Sequence, residues 1–458
     1  MRCFVLSWLL FSSLPTCGAS ATSESYRQPA GIADLKSSFI AAGYNALFTC
    51  SAHFVAGRPL NDIMKVELAD TVPLKLPHPV IDENRLIVTV LSGDESLRIA
   101  AYRKGMGCTL LPPEWGMADL SRLPYVQYPA LPDTQNINWP MGDDYLVDEP
   151  KKLTDVLDRA FDSTSYGEGS LTVGIVIVKN GRIIAERYRD GFGPYSGYRT
   201  WSTAKSISAS LIGIAAGKGL LDVDAPAPIP EWQQPGDPRR EILLKELMWM
   251  SSGLYSGGNN TAAVYFGGQD VISAVTTTPL DAQPGTRWKY ANNDTLLTLR
   301  ALKFKLGDDL AYLRFPYDEL LHKIGMYHTF METDHLGNFI GSSQVYTTAR
   351  DLSRFGLLLV NDGVWMGERI LPKGWVKFTR TPAPTRPAEK GKRGYGAQFW
   401  LLGTLPGLPA DTFTSSGNKG QFVTVLPGQN LVVVRTGVDP AGTRWNQPVF
   451  TAEVLKRL

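Results

Sequence analysis

The chain has 458 residues, of which 43% are hydrophobic and 20% charged, and this composition is that of an ordinary globular protein. The length allows one large domain plus one small domain. The formal net charge of +2 gives no electrostatic support for nucleic-acid binding, and no basic stripe is visible in the sequence. The five histidines are scattered and the cysteines lack the spacing of zinc ligands, so no metal site is expected.

The N-terminus has the pattern of a secretory signal. Arg2 supplies a positive charge, residues 4–14 are apolar, and the small residues Ala19–Ala21 would permit cleavage. We therefore predict a signal peptide over residues 1–21 and export to the periplasm. The apolar run is too short to span a membrane, and no later run is long enough. A lipoprotein signal ending at Cys17 is the alternative, although proline and threonine before the cysteine fit it poorly.

Residues 22–133 are predicted to form a separate small domain. A helix is expected over residues 30–43, and a hairpin of two strands over residues 85–91 and 97–103. Several prolines between residues 112 and 132 then indicate a stiff, extended linker. No combination of residues suited to catalysis is found in this part of the chain.

Signal cleavage would leave two cysteines, Cys50 and Cys108, both in the small domain. Two thiols in one small exported domain are expected to form a disulfide. Two buried free cysteines are the alternative.

Residues 134–458 are predicted to form the larger domain, built around an antiparallel sheet. Strands at 171–178 and 182–188 flank an Asn-Gly turn, which is a strong hairpin signal. A second hairpin is predicted from strands at 422–426 and 431–436. Helical patterns lie between residues 242 and 380, so both ends of this domain would contribute to one sheet.

The segment from Thr200 to Ser206 places Ser202 and Lys205 three positions apart, before a helix-compatible run. Positions i and i+3 share one face of a helix, so a neutral Lys205 amine could reach the Ser202 hydroxyl. A serine hydroxyl is a weak nucleophile until a neighbouring base removes its proton. The pair therefore fits an activated nucleophile, and the alternative is a serine that merely caps the helix.

Two further motifs follow in order along the chain. Tyr290-Ala291-Asn292 is the only Tyr-x-Asn in the sequence. A tyrosine beside the Ser/Lys pair could pass a proton to a leaving group, and the asparagine amide could hold a carbonyl. The third motif runs from Ser416 to Gln421 and leads into an apolar strand, where a backbone N–H could face an oxyanion.

With these three motifs, the chain from about Trp139 onward resembles the serine β-lactamase and penicillin-binding-protein-like superfamily. Class C β-lactamases, D-alanyl-D-alanine carboxypeptidases, family VIII esterases and 6-aminohexanoate-dimer hydrolases are the most similar members, the last above all. The segments at 247–254, 347–356 and 394–400 add to the likeness. The resemblance implies a mixed α/β (α+β) fold, with an antiparallel sheet flanked by helices plus a helical region, and a site between sheet and helical region.

The resemblance also implies acyl transfer to an ester or amide substrate through Ser202, with Lys205 as the base and Tyr290 as the proton relay. Asn292 would orient the substrate or the lysine. The backbone N–H groups of Ser202 and Gln421 would form the oxyanion hole. No cofactor is needed for this chemistry.

The third motif departs from the family, because Asn418-Lys419-Gly420 stands where β-lactamases carry Lys-Thr-Gly. If this segment is a strand, neighbouring side chains point to opposite faces, and Lys419 does not replace a cation at Asn418. That cation helps to hold a substrate carboxylate, so esters and small linear amides are favoured over β-lactams and D-alanyl peptides.

Three alternatives remain at this point. The first is a β-lactamase or D-alanyl-D-alanine carboxypeptidase acting on cell-wall peptides. The second is a catalytically silent penicillin-binding-like module, which the intact Ser202, Lys205 and Tyr290 disfavour. The third is a Ser-His-Asp hydrolase, which the absence of a Gly-x-Ser-x-Gly motif disfavours.

Overall fold

The structure is a computed structural model that describes residues 37–69, 75–128, 130–256 and 260–458. The predicted signal peptide, including Cys17, lies outside the described residues, as does the start of the helix predicted at 30–43. Within the described ranges, no helix is both long and apolar enough to cross a membrane.

The helices and strands of the described residues are numbered here in chain order. The α-helices are α1 (Ser37–Cys50), α2 (Leu60–Val66), α3 (Thr154–Phe161), α4 (Thr203–Gly217), α5 (Leu244–Met248), α6 (Asn260–Phe266), α7 (Val271–Thr276), α8 (Asn292–Leu306), α9 (Asp309–Pro316), α10 (Ala349–Val360), α11 (Trp375–Thr379) and α12 (Gln447–Arg457). The strands are β1 (Val80–Asp82), β2 (Ile87–Leu91), β3 (Leu97–Arg103), β4 (Gly107–Leu110), β5 (Thr172–Lys179), β6 (Arg182–Tyr188), β7 (Tyr198–Arg199), β8 (Phe330–Met331), β9 (Val345–Thr347), β10 (Val364–Trp365), β11 (Glu368–Arg369), β12 (Gly394–Tyr395), β13 (Trp400–Leu401), β14 (Phe413–Gly417), β15 (Gln421–Leu426) and β16 (Leu431–Gly437).

The main sheet has seven antiparallel strands in the order β12-β13-β14-β15-β16-β5-β6, so both ends of the larger domain contribute to it as predicted. Asn180 and Gly181 both have positive φ, which gives the β5–β6 hairpin a turn that matches the strand twist. The mixed α/β fold predicted from the sequence is confirmed.

Helices cover both faces of this sheet. Along β5, Val176 and Val178 belong to the larger core, on the side of α4 and α10. Ile175 and Ile177 point the other way and pack with residues of α3 and α12, because side chains alternate along a strand. This second layer explains why the strand is apolar at nearly every position.

The N-terminal segment forms its own four-stranded antiparallel sheet, β1-β2-β3-β4, with α1 packed against it. The β2–β3 hairpin lies where the sequence predicts it. Ala46 and Leu47 of α1 share one hydrophobic core with Ile207 and Leu211 of α4. The core is thus continuous between the segments on either side of residue 133, and the independence of the two domains stays a prediction.

A disulfide between Cys50 and Cys108 joins the end of α1 to β4, with Cα atoms 6.1 Å apart. The buried carboxylate of Glu332 accepts hydrogen bonds beside it, from the Ser51 hydroxyl at 2.6 Å and from the Cys108 backbone N–H at 2.9 Å. The disulfide therefore stands where the N-terminal segment meets the larger domain.

We expect the double variant Cys50→Ala/Cys108→Ala to unfold with a free energy lower by about 4 kcal/mol, because the disulfide restricts a long loop of the unfolded chain. Urea unfolding of the oxidised wild type and the variant measures this difference. Wild type treated with a reductant is the control and should match the variant. Equal stability of the oxidised wild type and the variant would contradict the structural role of the disulfide.

Candidate active site

Ser202 lies at the turn between β7 and α4. Trp201, directly before it, has a φ of +49°, a left-handed conformation that costs a non-glycine residue about 1–3 kcal/mol and tends to occur at functional sites. Ser202 occupies the N-cap position of α4, yet its side chain caps no backbone N–H. The alternative of an ordinary capping serine is therefore not what the structure shows.

Lys205 reaches Ser202 from the first turn of α4, as the i and i+3 spacing predicts. Its side chain is 1% exposed, and Nζ lies 3.2 Å from Ser202 Oγ. Nζ also donates to Asn292 Oδ1 at 2.6 Å and to the Ser342 backbone carbonyl at 2.7 Å. A neutral amine has two N–H bonds and one lone pair. These two acceptors can take both N–H bonds, which leaves the lone pair directed at the Ser202 hydroxyl.

Burial lowers the pKa of Lys205 from 10.5 to about 7. The cause is the loss of hydration of the ammonium form, and no carboxylate acts in the opposite direction. A substantial fraction of Lys205 is therefore neutral at neutral pH, which is the state that a general base requires.

Tyr290 and Asn292 are brought to the same place by the turn that precedes α8. Lys205 Nζ lies 5.0 Å from the centroid of the Tyr290 ring. Burial raises the pKa of Tyr290 to about 12, although a hydrogen bond with Ser202 acts against this shift. Tyr290 is thus a protonated phenol at neutral pH, in contact with the serine. Ser202, Lys205, Tyr290 and Asn292 form one connected group.

The segment at 247–254 supports this group from behind. The Ser252 hydroxyl donates to Asp294 Oδ1 at 2.9 Å, two residues after Asn292. Burial raises the pKa of Asp294 to about 8. A buried hydrogen bond therefore joins this segment to the start of α8, next to Asn292.

An aromatic wall that sequence reasoning missed adjoins Tyr290. The Trp400 ring stacks on Tyr290 with centroids 5.7 Å apart, and Tyr395 meets the same ring edge-on at 5.9 Å. Trp288 lies behind them, and the Arg386 guanidinium is 3.9 Å from the Trp288 ring centroid. Arg386 belongs to the proline-rich stretch between α11 and β12. The aromatic residues within 394–400 were the one feature of the sequence that indicated this aromatic wall.

The third motif has a different conformation from the one assumed above. Asn418–Gly420 form a single helical turn between β14 and β15, and Lys419 has a φ of +53°. The premise that Asn418 and Lys419 alternate along a strand is therefore wrong. The reason is local, because Lys419 and Gly420 both have positive φ, and this reverses the chain as a tight hairpin.

Gly420 and Gln421 are buried at the start of β15, next to β16. Gly420 has a φ of +83°, and a Cβ there would lie 1.6 Å from Arg435 Nη1, so no side chain fits. Arg435 donates to the Gly420 carbonyl at 3.0 Å and is paired with Asp439. The Gln421 side chain is buried and donates to the Gly437 carbonyl at 2.5 Å. Both residues stabilise the hairpin in this arrangement.

Asn418 is exposed at the tip of the turn, and Lys419 lies on the side of the N-terminal segment. Burial raises the pKa of Glu67, at the end of α2, and the positive charges of Arg58 and Lys419 oppose that shift. Glu67 and Lys419 also line one small cavity with Trp201. Lys419 thus lies near Glu67, a carboxylate of the N-terminal segment that is itself paired with Arg58.

Gly417 is the residue of the third motif that touches the nucleophile segment. A Cβ at Gly417 would lie 2.0 Å from the Thr200 carbonyl oxygen, so only glycine permits this approach. Strand β13 pairs with β14 at Phe413 and Thr414, and the described pairing does not extend to Gly417 on that side. The end of β14 therefore presents backbone groups next to the turn that carries Ser202.

In the part of the chain that the structure describes, no group of three or more His, Cys, Asp or Glu residues could hold a metal ion. The arrangement of Ser202, Lys205 and Tyr290 is complete for proton transfer between side chains.

The family model described as Beta-lactamase matches residues 157–437, which include Ser202, Lys205, Tyr290 and all of β16. A 6-aminohexanoate-dimer hydrolase from Paenarthrobacter ureafaciens is 22% identical over 314 residues, which are 61% of this chain and 76% of that protein.

Two solved structures share the fold. A penicillin-binding protein homologue from Caulobacter crescentus has a TM-score of 0.54 and 14% identity, and the match covers 69% of this chain and 100% of that chain. A class C β-lactamase in complex with cefoxitin has a TM-score of 0.52 and 15% identity, with 67% and 98% of the two chains covered. At these identities the structures establish the fold alone.

We expect Ser202 to react with a fluorophosphonate at a rate that falls as pH decreases through about 7, because protonated Lys205 cannot accept the serine proton. Intact-mass analysis from about pH 5 to about pH 9 measures the rate. Lys205→Arg should react orders of magnitude more slowly, since arginine keeps the charge but does not give up its proton. Lys218→Met, at the exposed end of the same helix, is the matched control and should behave as wild type. A rate independent of pH, or an adduct elsewhere than Ser202, would contradict the assignment.

Proposed function

This chain belongs to the β-lactamase family, and from that premise we propose that it is a serine hydrolase that cleaves ester or linear amide bonds through an acyl-enzyme on Ser202. The observation that carries the proposal is the environment of Lys205. Among the described residues the amine has no acidic partner; it is buried, its N–H bonds have two acceptors, and it contacts Ser202 Oγ at 3.2 Å.

In the acylation step, Ser202 Oγ attacks the substrate carbonyl carbon while its proton passes to Lys205 Nζ. The tetrahedral intermediate collapses when the bond to the leaving group breaks. Tyr290 donates its phenolic proton to the leaving group and recovers a proton from the Lys205 ammonium. Deacylation reverses these transfers with water as the nucleophile, and Lys205 is neutral again at the end of the cycle.

The developing oxyanion needs backbone N–H donors beside Ser202. The N–H of Ser202 is one donor. For the second donor, the approach of Gly417 to Thr200 favours the backbone at the end of β14, beyond its pairing with β13, over the backbone N–H of Gln421 in β15. Asn292 is assigned the orientation of Lys205, because its amide oxygen makes the shortest contact of the lysine amine.

Two observations support esters and linear amides as substrates. Asn418, at the position where β-lactamases carry a cation, has no charge, and Lys419 lies beside Glu67 in a small cavity, so the motif offers a substrate carboxylate no cation at position 418. The similar protein from Paenarthrobacter ureafaciens is named for the hydrolysis of a 6-aminohexanoate dimer. These two observations replace the earlier argument that Asn418 and Lys419 alternate along a strand, because the structure places both residues in a turn.

We also propose export, as the N-terminal sequence predicts. The disulfide between Cys50 and Cys108 supports it, because such bonds persist in oxidising compartments and are rare in reducing ones.

The purified protein should prefer short neutral p-nitrophenyl esters to nitrocefin, and the lost carboxylate contact should lower kcat/KM for nitrocefin about ten- to a hundredfold. The reason is the missing charged hydrogen bond to the β-lactam carboxylate, worth about 1.5–3 kcal/mol. A linear aminohexanoate dimer is assayed in parallel for amide cleavage. Ser202→Ala is the control for contaminating hydrolases and should be inactive. Efficient nitrocefin hydrolysis that is lost in Lys419→Ala would restore the β-lactamase alternative instead.

A further inference from the structure

We propose that Tyr265 is a positioning residue for the general base, and that the N-terminal segment holds Tyr265 in place. The proposal rests on the hydrolase function proposed above, because it concerns how Lys205 is kept in its working geometry. It assigns a role in catalysis to a segment that contributes no group to the reaction itself.

The argument begins at Ser342, a buried residue in the loop before β9. Its backbone carbonyl accepts a hydrogen bond from Lys205 Nζ at 2.7 Å. Its side-chain Oγ lies 2.5 Å from the hydroxyl of Tyr265, within a second hydrogen bond. One residue therefore connects Lys205 on one side to Tyr265 on the other. If Ser342 shifts, the lysine loses one of the two acceptors that direct its lone pair at Ser202.

Tyr265 sits on α6, and its neighbour Phe266 is fixed by the N-terminal segment. Arg98 of β3 donates to the Phe266 carbonyl at 3.2 Å. Helix α1 approaches the same carbonyl so closely that a Cβ at Gly43 would lie 2.2 Å from it. The Phe266 ring also meets Tyr44 of α1 edge-on, with centroids 5.0 Å apart. The N-terminal segment thus holds helix α6 at Phe266, the residue next to Tyr265.

A second connection runs from α1 to the same loop. Phe48 packs against Trp201 with ring centroids 5.5 Å apart. The Arg199 guanidinium lies over both rings, at 4.2 Å from Phe48 and 4.8 Å from Trp201. Arg199 Nη2 then donates to Ser343 Oγ at 3.3 Å. The N-terminal segment therefore supports both the residue before the nucleophile and the loop that holds the base.

The positions of these groups leave little freedom for the lysine. Tyr265 and Ser342 are both buried, so water does not replace their hydrogen bond. A small displacement of a catalytic group is enough to reduce the rate of a reaction that depends on near-contact geometry. Removal of the Tyr265 hydroxyl should consequently disturb Lys205 without touching it.

The test is Tyr265→Phe, which removes only that hydroxyl. With a neutral ester that the wild type hydrolyses, kcat should fall about tenfold while KM stays within about twofold, because binding contacts are untouched. The acid limb of the kcat/KM profile should move to lower pH, since the ammonium form loses more than the amine when its carbonyl acceptor drifts. Ser342→Ala should give the same change, and the double variant should be no worse than either single variant.

Tyr312→Phe is the matched control, because it also removes a buried hydroxyl, one that accepts from the Phe339 backbone N–H at 3.4 Å in the helical region. It should keep the kcat and the acid limb of the wild type. The proposal is overturned if Tyr265→Phe matches this control, or if the two site variants add independently. An inactive wild type would instead refute the hydrolase function itself.

Gly43→Ala tests the part played by the N-terminal segment. The added methyl group must displace the Phe266 carbonyl, so we expect the same loss of kcat and the same change of the acid limb. Gly116→Ala, at an exposed position with no atom within 4 Å of the added carbon, is the control and should be neutral. A folded Gly43→Ala protein with wild-type kinetics would show that the segment does not hold Tyr265. If Gly43→Ala does not fold, the Tyr265 and Ser342 cycle decides the proposal.

Discussion

The burial of one lysine amine without an acidic partner is the constraint on which the site depends. Lys205 is the first-turn residue of a helix whose side chains are almost all inside the protein. Burial penalises the charged form, so the amine becomes available as a base at neutral pH. A carboxylate within contact distance would have reversed this effect. Asn292 and Ser342 accept hydrogen bonds that orient the amine, and because both are uncharged they do not bring its pKa back to the ordinary value.

The same constraint has a consequence for stability. The folded protein holds Lys205 with a pKa of about 7, whereas the unfolded chain binds the proton up to about 10.5. The unfolded state thus carries more protons between these values, and this residue makes stability rise with pH across that window. The energetic penalty at neutral pH is offset by the packing around α4, including α8 and the sheet. The hydrophobic core around this helix therefore stabilises the protein with its general base Lys205 buried.

Local sequence signals predicted the elements that depend on local physics. Asn180-Gly181 specified a hairpin turn, the spacing of Ser202 and Lys205 specified one helix face, and Tyr290 and Asn292 were found by their motif. The third motif was misjudged, because a strand was assumed where Lys419 and Gly420 form a turn with positive φ. Tyr265 and Ser342 carry no sequence signal at all. Their contact joins residues 77 positions apart and is set by the packing of α6 against α1, which periodicity cannot reveal.

The ionisation of Lys205 is the quantity that tests this account most directly. The protein can be produced with carbon-13-labelled lysine, and the Cε resonances followed by NMR as pH is changed. The account predicts one lysine resonance that titrates near pH 7 and is missing from Lys205→Met, while ordinary lysines titrate at about 10.4. If every lysine resonance titrates near the ordinary value, Lys205 is charged at neutral pH and another group must activate Ser202.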